Sequence, residues 1–447
     1  MKNFCSMGSI KYYYLMYRKT VLLFSMLVAI AFAVEAQNFK HPYSHYGIGI
    51  LEDNYFAENA GMAGFSLTQK SNKSFSPSNP ASYSHLILTT FDVAMKGRIY
   101  DLAQGDVGYK GNLISFGYFA LGFPINYKQG WGASFGLLPV SRIGYNTVID
   151  ELIMPDSLQK SEVFDKSGGF NKAYIGSSIT LFKKLSLGAN FYYLFGNTQL
   201  YHSLFFVENS DYFGITTEHN TFYGAAGFDF GAQFHTNLFN EVKLGLGVTY
   251  SLPVSLKVVQ ENSFVTFLNN ISSVTYKDTL FQTSNDLANK EIPQKFAAGF
   301  SLYKENKWQA GLEYQYEEWS KFLHNDATIT LSNYQQFTLG AEYIPGKSDD
   351  PLYYKRISYR FGIKYAFSYM NVPQNLDISP VSYYNPVKSG IAFGAEFPVS
   401  RSSSAINTGI EIGKIGVLED DIIRELYVNM YLGFRLNDRW FNKRKID

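Results

Sequence analysis

Three cations recur at intervals of four in KRISYRFGIK (355–364): Arg356, Arg360 and Lys364. Acids recur the same way in GLEYQYE (311–317), as Glu313 and Glu317, and Glu342 follows in the next alternating run. On an extended chain, residues separated by an even number share one face. Charges gathered on an enclosed face need partners. Two chemistries satisfy that need. One is a ladder of ion pairs bracing a wall. The other is an Arg clamp on a substrate carboxylate, which suits the rigid fork of guanidinium.

Other candidates carry less. His41 and His45 in HPYSH are four apart, a spacing that begins a metal site on a helix. Pro42 lies between them and no third ligand is near, so a solvated N-terminal stretch is expected and no metal. YGIGIL (46–51) lacks the third glycine and following helix of a dinucleotide loop. Gly61 and Gly64 suit tight turns or close approach of one backbone to another. No G-x-S-x-G or H-E-x-x-H occurs. The expectation is no enzyme and no cofactor.

The elements that must position these residues are strands. In VKLGLGVTYSL (242–252), Val242, Leu244, Leu246, Val248 and Tyr250 alternate with Lys243, Gly245, Gly247, Thr249 and Ser251. LSLGANFYYLF (185–195), WQAGLEYQYE (308–317) and LYVNMYLGFRL (426–436) repeat the pattern, with Gly, Asn, Glu and Arg on one face and apolar residues on the other. Apolar-out, polar-in alternation repeated over many long strands is the pattern of a transmembrane barrel. About 14 strands can be drawn between residues 86 and 436, near 86–98, 111–125, 131–148, 170–182, 185–207, 217–235, 241–258, 294–304, 307–321, 327–344, 352–370, 384–398, 404–416 and 422–436. Trp319 has the wrong parity to join the Trp308 face, so a strand end or bulge is expected near Glu318. Short links such as 126–130, 183–184, 235–240 and 304–306 alternate with longer ones, of which 149–169 and 259–293 are expected as extracellular loops able to dock a partner protein.

Residues 1–36 read as a cleaved secretory leader. Lys11, Arg18 and Lys19 precede VLLFSMLVAIAFAV (21–34), and Val34-Glu35-Ala36 forms the cleavage signature. Met16 is an alternative start. Of 39 basic and 38 acidic residues, the leader holds Lys2, Lys11, Arg18, Lys19 and Glu35, which leaves 35 and 37 and a net charge of −2. That balance offers nothing to nucleic acid. Cys5 is the only cysteine and leaves with the leader, so the mature chain has no disulfide. Residues 37–85 precede the wall, and 86–447 form it together with a short basic tail at Lys443, Arg444 and Lys445. Trp440 and Phe441 suit a membrane edge.

Two proline-bearing stretches interrupt the picture. SPSNPASY (76–83) rules out a helix interior or a central strand just before the wall. Pro139, inside GLLPVSR (136–142) of the third strand, removes a ladder donor. It marks either a rim bulge or a break in the wall, with pairing interrupted against the N-terminal segment.

Read this far, the chain resembles the FadL/TodX family of outer-membrane transport proteins, in its Bacteroidota-type branch. The resemblance rests on NAGMAGFS with SPSNPASY (59–66, 76–83), WGASFGLLPVSRIGYN (131–146), SGGFNKAYIG with LSLGANFYYLFG (167–176, 185–196), KWQAGLEYQYEEWSKF (307–322), YYKRISYRFGIKYAFSYM (353–370) and LGFRLNDRWFNKRKID (432–447). It implies a 14-stranded outer-membrane barrel with an N-terminal hatch inside. It also implies uptake of hydrophobic compounds such as long-chain fatty acids or other lipids, leaving sideways where the third strand kinks at Pro139. The family's hatch signature falls on Asn79, Pro80 and Ala81, followed here by Ser82. A second role implied by the resemblance is that of a partner in protein secretion or surface attachment.

Overall fold

The computed structural model describes residues 39–153, 158–206, 213–270, 273–322, 330–374, 382–399, 403–418 and 422–439. The expected leader (1–36) and the basic tail with Trp440 and Phe441 lie outside them.

Fourteen antiparallel wall strands follow one another in chain order. They are β1 (Thr89–Gln104), β2 (Val107–Asn126), β3 (Trp131–Ile153), β4 (Leu158–Leu181), β5 (Leu185–Phe206) and β6 (Phe213–Phe239). Then come β7 (Val242–Ser251 continuing as Val254–Asn270), β8 (Ser273–Ile292 continuing as Lys295–Lys304), β9 (Trp308–Glu317) and β10 (Tyr334–Tyr343). β11 (Ser358–Phe367), β12 (Val387–Pro398), β13 (Ala405–Ile415) and β14 (Arg424–Asp438) complete the set. β14 pairs with β1 from Arg424–Ala103 to Asp438–Thr89 and closes the barrel. The wall begins at Thr89, three residues after Leu86, which is buried inside.

The period-two pattern sorts the faces. Along β11, buried and exposed positions alternate without a break. Leu312, Phe337, Ile363, Phe393 and Ile412 face outward, while Glu313, Thr338, Lys364 and Glu411 face the lumen and are buried. β9 ends at Glu317 and a short 3-10 turn, Trp319–Lys321, follows, which accounts for the parity of Trp319.

Strand lengths are unequal. β9, β10 and β11 have 10 residues each. Ten tilted residues rise about 25 Å, the height of the apolar band. β3 to β6 have 22 to 27 residues and therefore stand well clear of the membrane. The segments 149–169 and 259–293, expected as loops, are built instead largely of these strand extensions. The reason is physical. Above the bilayer both sheet faces meet water, so the apolar-out alternation that reveals a membrane strand is no longer required. Pro253 and Pro293 break β7 and β8 side by side, next to the paired residues Val254 and Ile292, as expected where a ladder donor is missing.

Residues 39–88 lie inside the wall. Their elements are short: a 3-10 turn Pro42–His45, a strand Ile50–Leu51, a helical turn Ala57–Ala60 and a 3-10 helix Pro80–His85. Lumen-facing glycines let this inner segment touch the wall backbone. A Cβ on Gly394 would stand 2.6 Å from the Gly61 Cα, and one on Gly188 would stand 2.5 Å from the Pro80 carbonyl carbon. Gly362 meets Met62, Gly231 meets Pro80 and Gly433 meets Ala57 in the same way. These glycines ring the lumen and seat the segment on several strands at once. Replacing Gly394 by Val is expected to cost about 1–3 kcal/mol by overpacking. It should lower the melting temperature of the inner segment while leaving the strand content of the wall unchanged, read by protease accessibility and circular dichroism.

Candidate functional site

The inner segment carries three carboxylates into the lumen, and each meets cations of the wall. Glu52 accepts from Lys96 Nζ at 2.7 Å and Arg142 Nε at 3.1 Å. Asp53 lies 3.0 Å from Lys364 and 3.3 Å from Lys388. Glu58 pairs with Arg360 at 3.3 Å and with Arg435. Wall acids complete the network: Glu396 bridges Arg360 (2.7 Å) and Arg435 (2.6 Å), Glu342 reaches Arg360 at 3.3 Å, and Glu411 reaches Lys364 at 3.3 Å. Tyr55 Oη donates to Glu411 (2.9 Å) and accepts from Lys364 (3.0 Å).

Of the residues singled out in the sequence, Arg360, Lys364 and Glu342 meet in this network. Arg360 also donates to Asn407 at 3.0 Å, so four oxygens of the residues around it face its two terminal nitrogens. Glu313 stands apart, accepting from the Ser66 (2.8 Å) and Leu67 (2.5 Å) amides of the inner segment. Glu317 pairs with Lys295 at 3.1 Å and accepts from Trp319 Nε1 at 2.7 Å. Arg356 departs from expectation. β11 begins only at Ser358, so Arg356 closes the helical turn Tyr353–Arg356, where strand parity does not hold, and lies over the Tyr353 ring.

His41 is a second correction, because it is fully buried rather than solvated. Its Nδ1 accepts from the Tyr43 amide (3.2 Å), and its Nε2 lies 2.8 Å from Glu425, which also holds Arg98. Both ring nitrogens are used, and no metal role remains. His45 is exposed, against Tyr145. Sequence reasoning missed Glu52, Asp53, Glu58, Glu396, Glu411 and Glu425. The wall acids were marked by their parity, as in Ile410-Glu411-Ile412; the inner-segment acids have no periodic signal.

The hatch signature is an architectural joint. Asn79 caps the 3-10 helix through its side chain, accepting from the Ala81 amide (3.1 Å), and donates to Leu67 O (2.8 Å). Pro80 opens the helix, where no N–H is needed. Pro80 and Ala81 lie against Gly188. Gly61 packs on Gly394, and Gly64 adopts φ +99° against Tyr55.

Pro139 sits at the end of a ladder. β2 and β3 pair only from Asn126–Trp131 to Phe119–Leu137. On its other side β3 pairs with β4 along its whole length, with a bulge between Pro139 and Ser141. The interruption expected near Pro139 is therefore on the β2 side alone. The inner segment fills the gap. Ile50 and Leu51 pair antiparallel with Arg142 and Ser141. The Glu52 amide donates to Val140 O (2.8 Å) and the His41 amide to Gly144 O (2.7 Å). Segment and wall together line a cavity of about 250 Å³ that mixes Asp53, Lys388, Lys172 and Asp229 with Tyr192 and Leu194. Lys172 is held by Asp229 at 2.5 Å and lies over the Tyr192 ring.

A profile of the BamG family matches residues 16–447. The chain belongs to the BamG family. No curated protein sequence matches it. Solved structures show where the BamG-family fold lies. The toluene transporter TodX of Pseudomonas putida superposes with a TM-score of 0.55 at 14% identity, over 87% of this chain and 99% of TodX. A FadL homologue of Pseudomonas aeruginosa gives 0.56 at 12%, over 87% and 98%. The toluene transporter TbuX of Ralstonia pickettii gives 0.55 at 11%, over 86% and 98%. This BamG-family chain thus has the FadL-type outer-membrane barrel fold.

Electrostatics tie the inner segment to pH. Burial works to raise the Glu52 carboxyl, but Lys96 and Arg142 hold it down at about 2. Burial opposes ionisation of Asp53 as well, yet Lys364, Lys388 and Lys96 keep it well below the usual carboxylate range. Burial, helped by Lys70, pushes His85 down to about 3. A depressed carboxylate stabilises the fold above its ordinary pKa and loses that contribution as pH falls to the folded value. A depressed histidine also favours the unfolded chain as pH falls below its ordinary value. Stability of the inner segment should therefore decline from about pH 6.5 through His85, and more steeply from about 4.5 to 2 through the carboxylates. His85→Gln should reduce the decline between 6.5 and 4.5 in a melting-temperature series and leave the acid limb. Arg435→Met, which removes one partner from buried Glu58 and one from partly buried Glu396, should cost about 3–5 kcal/mol at neutral pH.

Proposed function

We propose that this barrel is exported with its leader removed, sits in the outer membrane, and serves as a partner subunit in protein secretion or surface attachment rather than as an open channel. The observation that carries this reading is the inner segment's double anchorage. Ion pairs enclosed in the lumen fix Glu52, Asp53 and Glu58 to the wall, and Ile50–Leu51 fills the lower part of the gap between β2 and β3. Moving the segment strips charges of their partners, which costs about 3–5 kcal/mol for each pair broken in place. Tall extensions of β3 to β8 on one side offer the surface that such a partner role needs.

A second reading is uptake of hydrophobic compounds such as long-chain fatty acids, past the inner segment and sideways at Pro139. Its support is the fold shared with TodX and TbuX and the shortened β2–β3 ladder. The ion pairs lining the cavity oppose it, since an alkyl chain gains nothing from Asp53 or Lys172. Arg360 is buried, and its terminal nitrogens already face Asn407 and three carboxylates of its own surroundings, which leaves a fatty-acid carboxylate little to pair with. Nor does the site suit an enzyme: His85 lies 3.4 Å from Ser186 but bonds Gln233 rather than an acid.

One cysteine pair separates the readings. Leu51 and Ser141 face each other across the filled gap, and the mature chain has no competing thiol. Leu51→Cys with Ser141→Cys, oxidised, is expected to keep its partner protein in stoichiometric association and to show no palmitate or toluene uptake in either redox state. Saturable uptake by the reduced protein, lost on oxidation, overturns the partner reading.

A further inference from the structure

The gap between β2 and β3 continues above the point where the inner segment fills it. β2 keeps its β1 ladder up to Val107 but, among the described residues, has no strand partner on its other edge above Phe119. β3 keeps its β4 ladder up to Ile153, and beyond Gly144 its β2-facing edge meets no strand among the described residues. Counted from Trp131, the ten residues that suffice for β9 to β11 bring β3 to Val140 at the outer membrane face. The unpaired edges, 145–153 of β3 and much of 107–118 of β2, therefore stand in water.

The direction of the edge amides follows from those already paired. Gly144 donates its N–H to Ser44 Oγ at 3.0 Å and accepts from the His41 amide through its carbonyl, both across the gap. Val140 and Arg142 face the same way. With no further register shift, Asn146, Val148 and Asp150 direct their amides into the slot. Proteins protect long edges with proline, lysine or a bulge. The β3 edge, YNTVIDELI (145–153), has neither proline nor lysine, and its register with β4 is regular. Val148 and Leu152 are 54% and 60% exposed, and on the facing strand Tyr109 and Phe116 are 46% and 48% exposed. The acid Glu151 is engaged along the sheet by Lys160, at 2.7 Å, rather than across the slot.

We propose that this slot is a docking site for an extended segment of a second outer-membrane or exported protein, added as a strand to the β3 edge above Gly144. The occupant is a polypeptide because only a backbone offers amides and carbonyls at strand spacing. The edge already accepts such a chain, since Ile50–Leu51 pairs antiparallel with it one turn of the ladder below. The newcomer continues that ladder for about six to nine residues. Apolar side chains on alternate positions would cover Val148 on one face. This inference rests on the partner reading above and names where the partner binds.

The test uses the full mature barrel in its native outer membrane. Amide exchange of 145–153 is compared between native membranes and the detergent-purified barrel, and benzoylphenylalanine replaces Tyr109 for photo-crosslinking. Expected are exchange at least tenfold slower in native membranes, and an adduct that maps to an extended segment of another protein. Val148→Pro, which deletes a slot amide without touching the β4 ladder, should remove both signals while the barrel remains assembled. Equal exchange in the two settings overturns the proposal, and the wild-type comparison decides this even if the proline variant fails to assemble. Protection with no peptide adduct assigns the slot to lipid or glycan and overturns it. An adduct to this chain's own peptides makes the slot a self-contact and also overturns it. Loss of slot protection while the Leu51→Cys, Ser141→Cys barrel still holds its partner rejects this site alone and leaves the partner reading standing.

Discussion

Glu52, Asp53 and Glu58 enter the lumen on a segment with little secondary structure of its own, and nearly everything else about the interior follows from satisfying them. A buried carboxylate without a cation is costly enough to be protonated or expelled. The wall therefore places Lys96, Arg142, Lys364, Lys388, Arg360 and Arg435 at the matching heights. Arg360, Arg435 and Lys364 are then shared with Glu342, Glu396 and Glu411. The result is a network in which Arg360, Lys364 and Arg435 serve both the segment and the wall, while Lys96, Arg142 and Lys388 serve the segment. Glycines such as Gly394 and Gly188 bring the backbones close enough for such short pairs to form.

The same anchorage explains the third strand. A barrel with a shortened β2–β3 ladder has a weak line in its wall, and Pro139 with its neighbouring bulge prevents β3 from simply straightening to repair it. The inner segment makes the repair with main-chain bonds from His41 to Glu52, and the His41–Glu425 pair fixes its leading end. Charge pairing, glycine contacts and strand addition thus converge on one state of the segment. In the FadL-type fold an inner segment need not be a moving part; here its bonds make it a component of the wall.

Much of the architecture was legible in the sequence, and the exceptions have physical causes. All fourteen strands were placed, because lipid outside and water inside impose period two on each of them. The tip of β3 beyond Val148 and the upper halves of β4, β7 and β8 were read as loops because that constraint ends at the membrane surface. Arg356 was assigned by extending the parity of Arg360 and Lys364 beyond the strand start at Ser358. His41 was set aside because its partner, Glu425, is 384 residues away and nothing local hints at the contact. Pro139 was readable as a ladder break from proline chemistry alone. That the gap is filled by Ile50–Leu51 was not, because two residues carry no periodic signal.

The central claim is that the inner segment is a fixed part of the wall at neutral pH. Residue-resolved amide hydrogen exchange of Leu51, Glu52, Ser66 and Leu67 in native outer membranes tests it most directly. The account predicts protection comparable to that of the wall strands β9 to β11. Exchange at the rate of an unstructured loop, with the wall strands still protected, would show a mobile gate and contradict the account.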